Sequence, residues 1–434
     1  PEEVKRVGEP RVRIITDRGL VANGMHKPVE DALKKADIPV NVWGDVVLDP
    51  TPESIEDCVA AIGEFNATVL IGLGGGSAMD STKAAALRAC HPGPIAKYFG
   101  MHKVPGPCMP TIMIPTTAGT GSEMTSISVI ADAVSNSKIG IVSDHLYART
   151  VLLDPALTLS LPPRYTAYTG LDAFVHAMES FVGKAATPIT DALNLQAMKL
   201  IAQSIRRAYV NGSDLAAREA MLYASSICGM GFSNTQNGVI HAIGMAVPAT
   251  YHLPHGLLMA ACAPMGIAFN CHAAPEKYGE IAEILGCDTR GKNVFEAAEM
   301  AVEGFTKLMR DVDIEPGLKA YGVKEEDIRG IAELSNKIAA LFFETVPREK
   351  RTGQVQIVAS TSFFIPKPFT PFQWAKMSTK EEFLEGAELM YRAYLEHGVR
   401  PERILYHVFP DAVHSQTDWK MRFPDALRWI FADA

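Results

Sequence analysis

Four side chains in this sequence have the types and spacing to hold a metal ion: Asp172, His176, His241 and His255. Asp172 and His176 stand four residues apart, so on a helix they share one face about one turn apart. His241 opens a second apolar segment that reads as helical, and His255 follows fourteen residues later in Leu253-Pro254-His255-Gly256. One carboxylate and three imidazoles suit a first-row divalent cation, with Fe²⁺ and Zn²⁺ the best matches. Spacing alone leaves the plainer reading open, because the twelve histidines of the chain make an accidental Asp–His pair unsurprising.

Upstream lies a loop suited to phosphate. Ile71-Gly72-Leu73-Gly74-Gly75-Gly76-Ser77-Ala78-Met79-Asp80 follows an apolar run and opens a helical pattern. Glycines let the backbone approach a pyrophosphate, and a helix start offers unpaired N–H groups and a positive dipole end. Ser77 and Asp80 together read as a capping box for that helix. The bland alternative is a tight strand–helix turn that needs glycine. A second polar loop, Pro115 to Glu123, follows the next strand and offers the hydroxyls of Thr116 and Thr117. Two such loops at consecutive strand ends favour a nucleotide, since ligands of open α/β sheets sit there. Asp17 ends the first strand and would accept hydrogen bonds from ribose hydroxyls while repelling a 2′-phosphate, which favours NAD over NADP. Its plainer role is to cap the next helix.

These residues must be positioned by two kinds of architecture. Strand-like runs at Val12–Thr16, Val40–Val46, Ala67–Leu73 and Thr111–Ile114 alternate with helical patterns at Met25–Ala36, Ile55–Phe65 and Ser77–Cys90. That alternation predicts βαβ units around a parallel, Rossmann-like sheet over residues 1–160. From residue 161 the patterns become long and helical: Gly170–Phe181, Ile189–Ala208, Leu215–Met230, Glu276–Leu285 and Val294–Asp311. Thr187 followed by Pro188 marks a helix start. An all-helical metal-binding domain is expected over residues 161–340, and residues 341–434 read as an atypical extension.

A net charge of −8 with no basic stripe argues against nucleic acid as a partner. Seven cysteines without a CxxC pair fit a reducing compartment. No apolar run of membrane length and no signal peptide stand out, so a cytoplasmic protein is expected.

Five motifs occur in order: Gly74-Gly75-Gly76-Ser77-x-x-Asp80-x-x-Lys83; Pro115 to Glu123; Gly170-x-Asp172-Ala173-x-x-His176-Ala177-x-Glu179; His241-Ala242; and Pro254-His255-Gly256. Together they resemble the iron-containing (group III) alcohol dehydrogenase family, over about residues 1–334. The resemblance implies a dinucleotide-binding α/β domain, a helical domain and a metal in the cleft between them. It places metal ligands at Asp172, His176, His241 and His255, and the pyrophosphate loop at Gly74, Gly75, Gly76 and Ser77. Asp80 falls on the nicotinamide side, Thr116, Thr117 and Lys138 fall among the cofactor contacts, and Asp17 falls on the NAD-selecting carboxylate. The expected reaction interconverts a short primary alcohol or diol and its aldehyde with NAD, on a homodimer or larger homo-oligomer. Within the family, a hydroxyacid–oxoacid transhydrogenase and a maleylacetate-type reductase are the alternatives; outside it, a nucleotide-binding scaffold with impaired catalysis.

Two departures stand out. Many members carry a histidine four residues after the third ligand, where this chain has Met245, and a thioether cannot exchange a proton. The extension contains Ser362–Trp374, similar to a stretch of certain radical S-adenosylmethionine proteins but without a cysteine triplet. Its end resembles the last helix of esterase-like hydrolases, with His414 as base, but no G-x-S-x-G elbow exists in the chain to supply a nucleophile.

Overall fold

The computed structural model describes residues 1–132, 137–247 and 251–324. The chain divides into two compact units, Pro1–Ile328 and Arg329–Ala434, and every described residue lies in the first. The extension read at 341–434, with His414, lies outside the described residues.

The first half runs α1 (Glu2–Lys5), β1 (Val12–Asp17), α2 (Arg18–Ala22), α3 (Lys27–Lys35), β2 (Val40–Val46), α4 (Pro52–Phe65), β3 (Val69–Gly74), α5 (Gly76–Cys90), β4 (Gly100–Met101), β5 (Thr111–Pro115), β6 (Ile127–Asp132), β7 (Ser137–Val142) and β8 (Thr150–Val151). Five strands form one sheet in the order β2-β1-β3-β5-β8, and every neighbour pair is parallel. The apolar run of β3 is explained by burial on both faces. Leu70 packs with Ile15, Ile62 and Ala85 under α4 and α5. Val69, Ile71 and Leu73 pack with Val12, Ile14 and Leu33 under α3. Beside this sheet stands a three-stranded one, β4-β7-β6, whose β6–β7 pair is antiparallel. The alternation read from the sequence contains no sign of it. The expected helix at Met25–Ala36 is α3, and the short α2 precedes it.

The second half is helical: α6 (Pro163–Val182), α7 (Pro188–Val210), α8 (Leu215–Phe232), α9 (Val239–Ala246), α10 (His255–Asn270), α11 (Pro275–Ile284) and α12 (Val294–Arg310). Thr187 caps α7 in a reciprocal capping box with Thr190, and Pro188 is its first residue, as the sequence predicts. α6 is buried continuously from Gly170 to Phe181, the signature of a helix surrounded by others. One expectation needs correction. The stretch His255–Ala273 is long and apolar enough, by length and composition, to cross a membrane, against the expectation that no run of that length occurs. Its window is 61% buried inside the fold, against α6, α9 and α12, so it serves as a core helix.

Candidate metal and cofactor site

α6 brings Asp172 and His176 onto one face, α9 carries His241 on its first turn, and α10 begins at His255. One ligand atom from each of these side chains lies within 4.8 Å of the others. His255 Nε2 is 3.6 Å from Asp172 Oδ1, and His241 Nε2 is 3.9 Å from the same oxygen. His241 Nε2 and His176 Nε2 are only 2.9 Å apart. Asp172, His176 and His241 are buried, whereas the His255 side chain is 32% exposed and forms the open edge of the group.

The cluster fits a divalent cation on its own chemistry. Asp172 Oδ1 is buried without a hydrogen-bond partner, a costly state for a carboxylate unless something else satisfies it. Burial pushes the Asp172 carboxyl up to about 7. Burial, reinforced by the charge of neighbouring His241, holds His176 well below the ordinary imidazole range and His255 down at about 3. Neutral imidazoles present lone pairs, as ligation requires. Tetrahedral bonds of about 2.0–2.2 Å place the ligand atoms of one shell about 3.3–3.6 Å apart, so the wider pairs of this cluster draw together when a cation binds.

Three further residues shape the site. Phe232 at the end of α8 stacks on His176, with ring centroids 4.4 Å apart and planes 16° from parallel. Glu179 accepts a 2.6 Å hydrogen bond from His241 Nδ1. Met245 stands four residues beyond His241 on α9 and is 41% exposed. Sequence reasoning assigned no role to Phe232 or Glu179. The signal available for Glu179 was its place in the stripe 172, 176, 179 on α6.

The two polar loops meet at the C-terminal ends of β3 and β5. Thr116 N–H donates to the Gly74 carbonyl at 2.9 Å. A Cβ on Gly75 would stand 3.4 Å from Thr117, and one on Gly76 would stand 2.8 Å from Thr120 Cγ2. Gly74 has φ +151°, and a Cβ there would stand 2.7 Å from the Ala78 methyl, so only glycine serves. α5 starts at Gly76 with Gly75 as an uncapped N-cap, leaving its first N–H groups for an anion. This cradle fits a pyrophosphate. The expected capping box is therefore corrected. Ser77 lies inside the helix, where its Oγ accepts from Asp49 N–H at 3.4 Å. Asp80 instead accepts from Ser122 Oγ at 2.6 Å and Val129 N–H at 3.2 Å, long-range partners that outcompete the local one.

Asp17 caps α2, its Oδ1 accepting from Leu20 N–H at 3.0 Å, and it borders Gly74. Lys138, on β7, is paired with Asp49 at 2.6 Å and lies near enough to His255 for its charge to help depress that imidazole. The buried Lys83 donates to the carbonyls of Ser122 and Ile127 and the hydroxyls of Ser122 and Thr125, pinning the second loop to α5. Burial lowers its ammonium to about 8.

The second loop also docks the sheet onto the helices. A Cβ on Gly121 would stand 2.8 Å from Gly229 Cα, and one on Gly229 would stand 2.5 Å from the Gly121 carbonyl oxygen. Ser233 accepts from Ser126 N–H at 3.2 Å and bonds the Tyr147 hydroxyl at 3.0 Å, next to Phe232.

Two family models match the chain: iron-containing alcohol dehydrogenase over residues 1–155, and the C-terminal part of the Fe-containing alcohol dehydrogenase family over residues 166–362. A sulfoacetaldehyde reductase of Bilophila wadsworthia is 53% identical over 363 residues, 83% of this chain and 94% of that protein. The crystal structure of a 1,3-propanediol oxidoreductase superposes with a TM-score of 0.74 at 35% identity, over 76% of this chain and 87% of that one. A sulfoacetaldehyde reductase from Bifidobacterium kashiwanohense, solved in complex with NAD⁺, gives a TM-score of 0.68 at 29% identity over 77% of this chain and 86% of that one.

Proposed function

The chain belongs to the iron-containing alcohol dehydrogenase family, and on that premise we propose that it is an NAD-dependent reductase of short aldehydes, with sulfoacetaldehyde as its substrate. The balanced reaction is aldehyde plus NADH plus a proton giving the primary alcohol plus NAD⁺. The observation that carries the reading is the convergence of Asp172, His176, His241 and His255 around an unpartnered carboxylate oxygen. The substrate is carried over from the relative that is 53% identical along almost its whole length.

Asp172, His176, His241 and His255 would hold Fe²⁺ or Zn²⁺, with His255 at the edge the substrate approaches. A bound divalent cation supplies Lewis acidity at the carbonyl oxygen and the nicotinamide supplies hydride. Gly74, Gly75, Gly76 and Ser77 cradle the pyrophosphate, Asp17 selects the unphosphorylated ribose, and Asp80, Thr116, Thr117 and Lys138 bound the rest of the cofactor. Phe232 fixes one ligand ring from its face and makes that wall apolar. Met245 cannot hand over a proton, so water, the exposed His252 or a cofactor hydroxyl must do so. On this reading residues 1–160 are the cofactor domain and 161–340 the metal domain.

The test strips the protein of metal, reloads it anaerobically with Fe²⁺ or Zn²⁺, and follows NADH consumption with sulfoacetaldehyde, acetaldehyde and 3-hydroxypropanal. The expected result is metal-restored turnover with the highest kcat/KM for sulfoacetaldehyde. A higher kcat/KM for either uncharged aldehyde would sink the sulfonate assignment. Stoichiometric metal without turnover on any of them would favour the scaffold reading.

A further inference from the structure

Glu179 is the last member of the α6 stripe that starts with Asp172 and His176, and its side chain is 1% exposed. A carboxylate that deep must have its oxygens satisfied. Here three N–H groups converge on it: Gly238 N at 2.9 Å, Ile240 N at 2.5 Å and His241 Nδ1 at 2.6 Å. All three come from the start of α9, whose N-cap is Gly238 and has no side-chain cap of its own. A Cβ on Gly238 would lie 2.9 Å from Glu179 Oε1 and 3.1 Å from its Cδ, so glycine there is what lets the carboxylate in.

The pairing has a chemical consequence. An ionised carboxylate only accepts hydrogen bonds, so His241 must carry a proton on Nδ1, and in the neutral ring that ligation requires the lone pair is then on Nε2. Nε2 is the nitrogen that faces Asp172 and His176.

We propose that Glu179 is a positioning residue for the metal: it fixes the tautomer and ring orientation of His241 while capping the helix that carries this ligand. This role rests on a cation occupying the Asp172 shell. Glu179 itself points away from the shell and binds the other side of the His241 ring.

The substitution Glu179→Gln separates this role from simple capping. Glutamine has one oxygen for the three donors: with that oxygen on Ile240 N–H, its NH₂ replaces Oε2 and faces Gly238 N–H and His241 Nδ1. His241 can accept from that NH₂ only by moving its proton to Nε2, which removes the lone pair. Two measurements follow. In the metal-free wild type, ¹⁵N NMR of the histidine rings should find His241 protonated on Nδ1, and in Glu179→Gln on Nε2. Competition against a chromophoric chelator should then show Zn²⁺ affinity reduced about 10–100-fold in the variant.

Loss of thermal stability with unchanged Zn²⁺ affinity would leave Glu179 a helix cap and overturn the role. An Nε2-protonated His241 in the wild type would overturn it without recourse to any variant. Failure of the wild type itself to bind Zn²⁺ or Fe²⁺ would overturn the metal reading first, and the role of Glu179 with it.

Discussion

Gly256→Ala puts the placement of the metal ligands to a quantitative test. Gly256 follows His255 at the start of α10 and faces α6. A Cβ built there would lie 2.3 Å from the Tyr168 carbonyl oxygen, 2.8 Å from its carbon and 3.3 Å from Asp172 Cβ. An ordinary carbon–oxygen contact is about 3.3 Å or longer, so the first turn of α10 must retreat by about 1 Å. The obstruction is helix backbone, which cannot swing aside as a side chain would. The retreat carries His255 away from Asp172. Overpacking of this kind costs about 1–3 kcal/mol of stability, and a misplacement of about 1 Å costs about 10²-fold in rate. The expected outcome is a lowered Tm, Zn²⁺ affinity down at least about 10-fold, and NADH turnover down by about two orders of magnitude. Gly63→Ala is the control, because a Cβ there meets nothing within 4 Å on α4. It should be neutral or stabilising by about 0.5–1 kcal/mol. Wild-type metal affinity and turnover in Gly256→Ala would refute the assignment of His255 to the shell.

Four further outcomes are expected. Burial raises the Asp172 carboxyl to about 7 in the metal-free protein, so between about pH 4 and 7 the folded state holds a proton that the unfolded chain has released. This contribution to stability is lost as pH rises through 7, and a cation must displace the same proton. Calorimetry should therefore find that Zn²⁺ raises Tm more above about pH 7 than below it, and a pH-independent gain would count against Asp172 as ligand. Asp17→Asn keeps the α2 cap but removes the charge, so unfolding in urea should be unchanged while the preference for NAD over NADP falls; unaltered selectivity would remove Asp17 from the ribose site. Lys83→Met strands the acceptors of Ser122, Thr125 and Ile127 beside Asp80, and urea unfolding should show a loss of about 3–5 kcal/mol. Met245→His supplies an exchangeable proton next to the shell and should shift the pH–rate profile; an unchanged profile would mean that solvent already carries the proton.

Much of this arrangement was legible in the residues. The parallel sheet could be read because β3 is apolar at nearly every position, which a strand covered on both faces requires. Thr187-Pro188 marked the start of α7 because capping is local chemistry. Asp172 and His176 declared a shared helical face by spacing, and their residue types made His241 and His255 candidates, but only the family pattern decided for them, since nothing local says where α9 and α10 pack. The sheet β4-β7-β6 escaped because β4 has two residues and pairs with β7, about forty residues further along the chain. Ser77 and Asp80 misled for the converse reason. They have the spacing of a cap, yet Asp80 is claimed by Ser122 and Val129, more than forty residues away. Glu179 was visible in the α6 stripe, but its partner lies 62 residues downstream.

The facing glycines 121 and 229 also bear on recombination. Each stands where the other leaves no room for a methyl group, so neither can be replaced alone without parting the strand-end loop from α8. A chimera that joins the sheet of one relative to the helices of another would need glycine on both sides of that seam. A single alanine there would part the loop from α8 without altering any side chain of the cluster or of the glycine cradle. Crossovers are thus best placed where the loop and α8 travel together, although they are about a hundred residues apart in the chain.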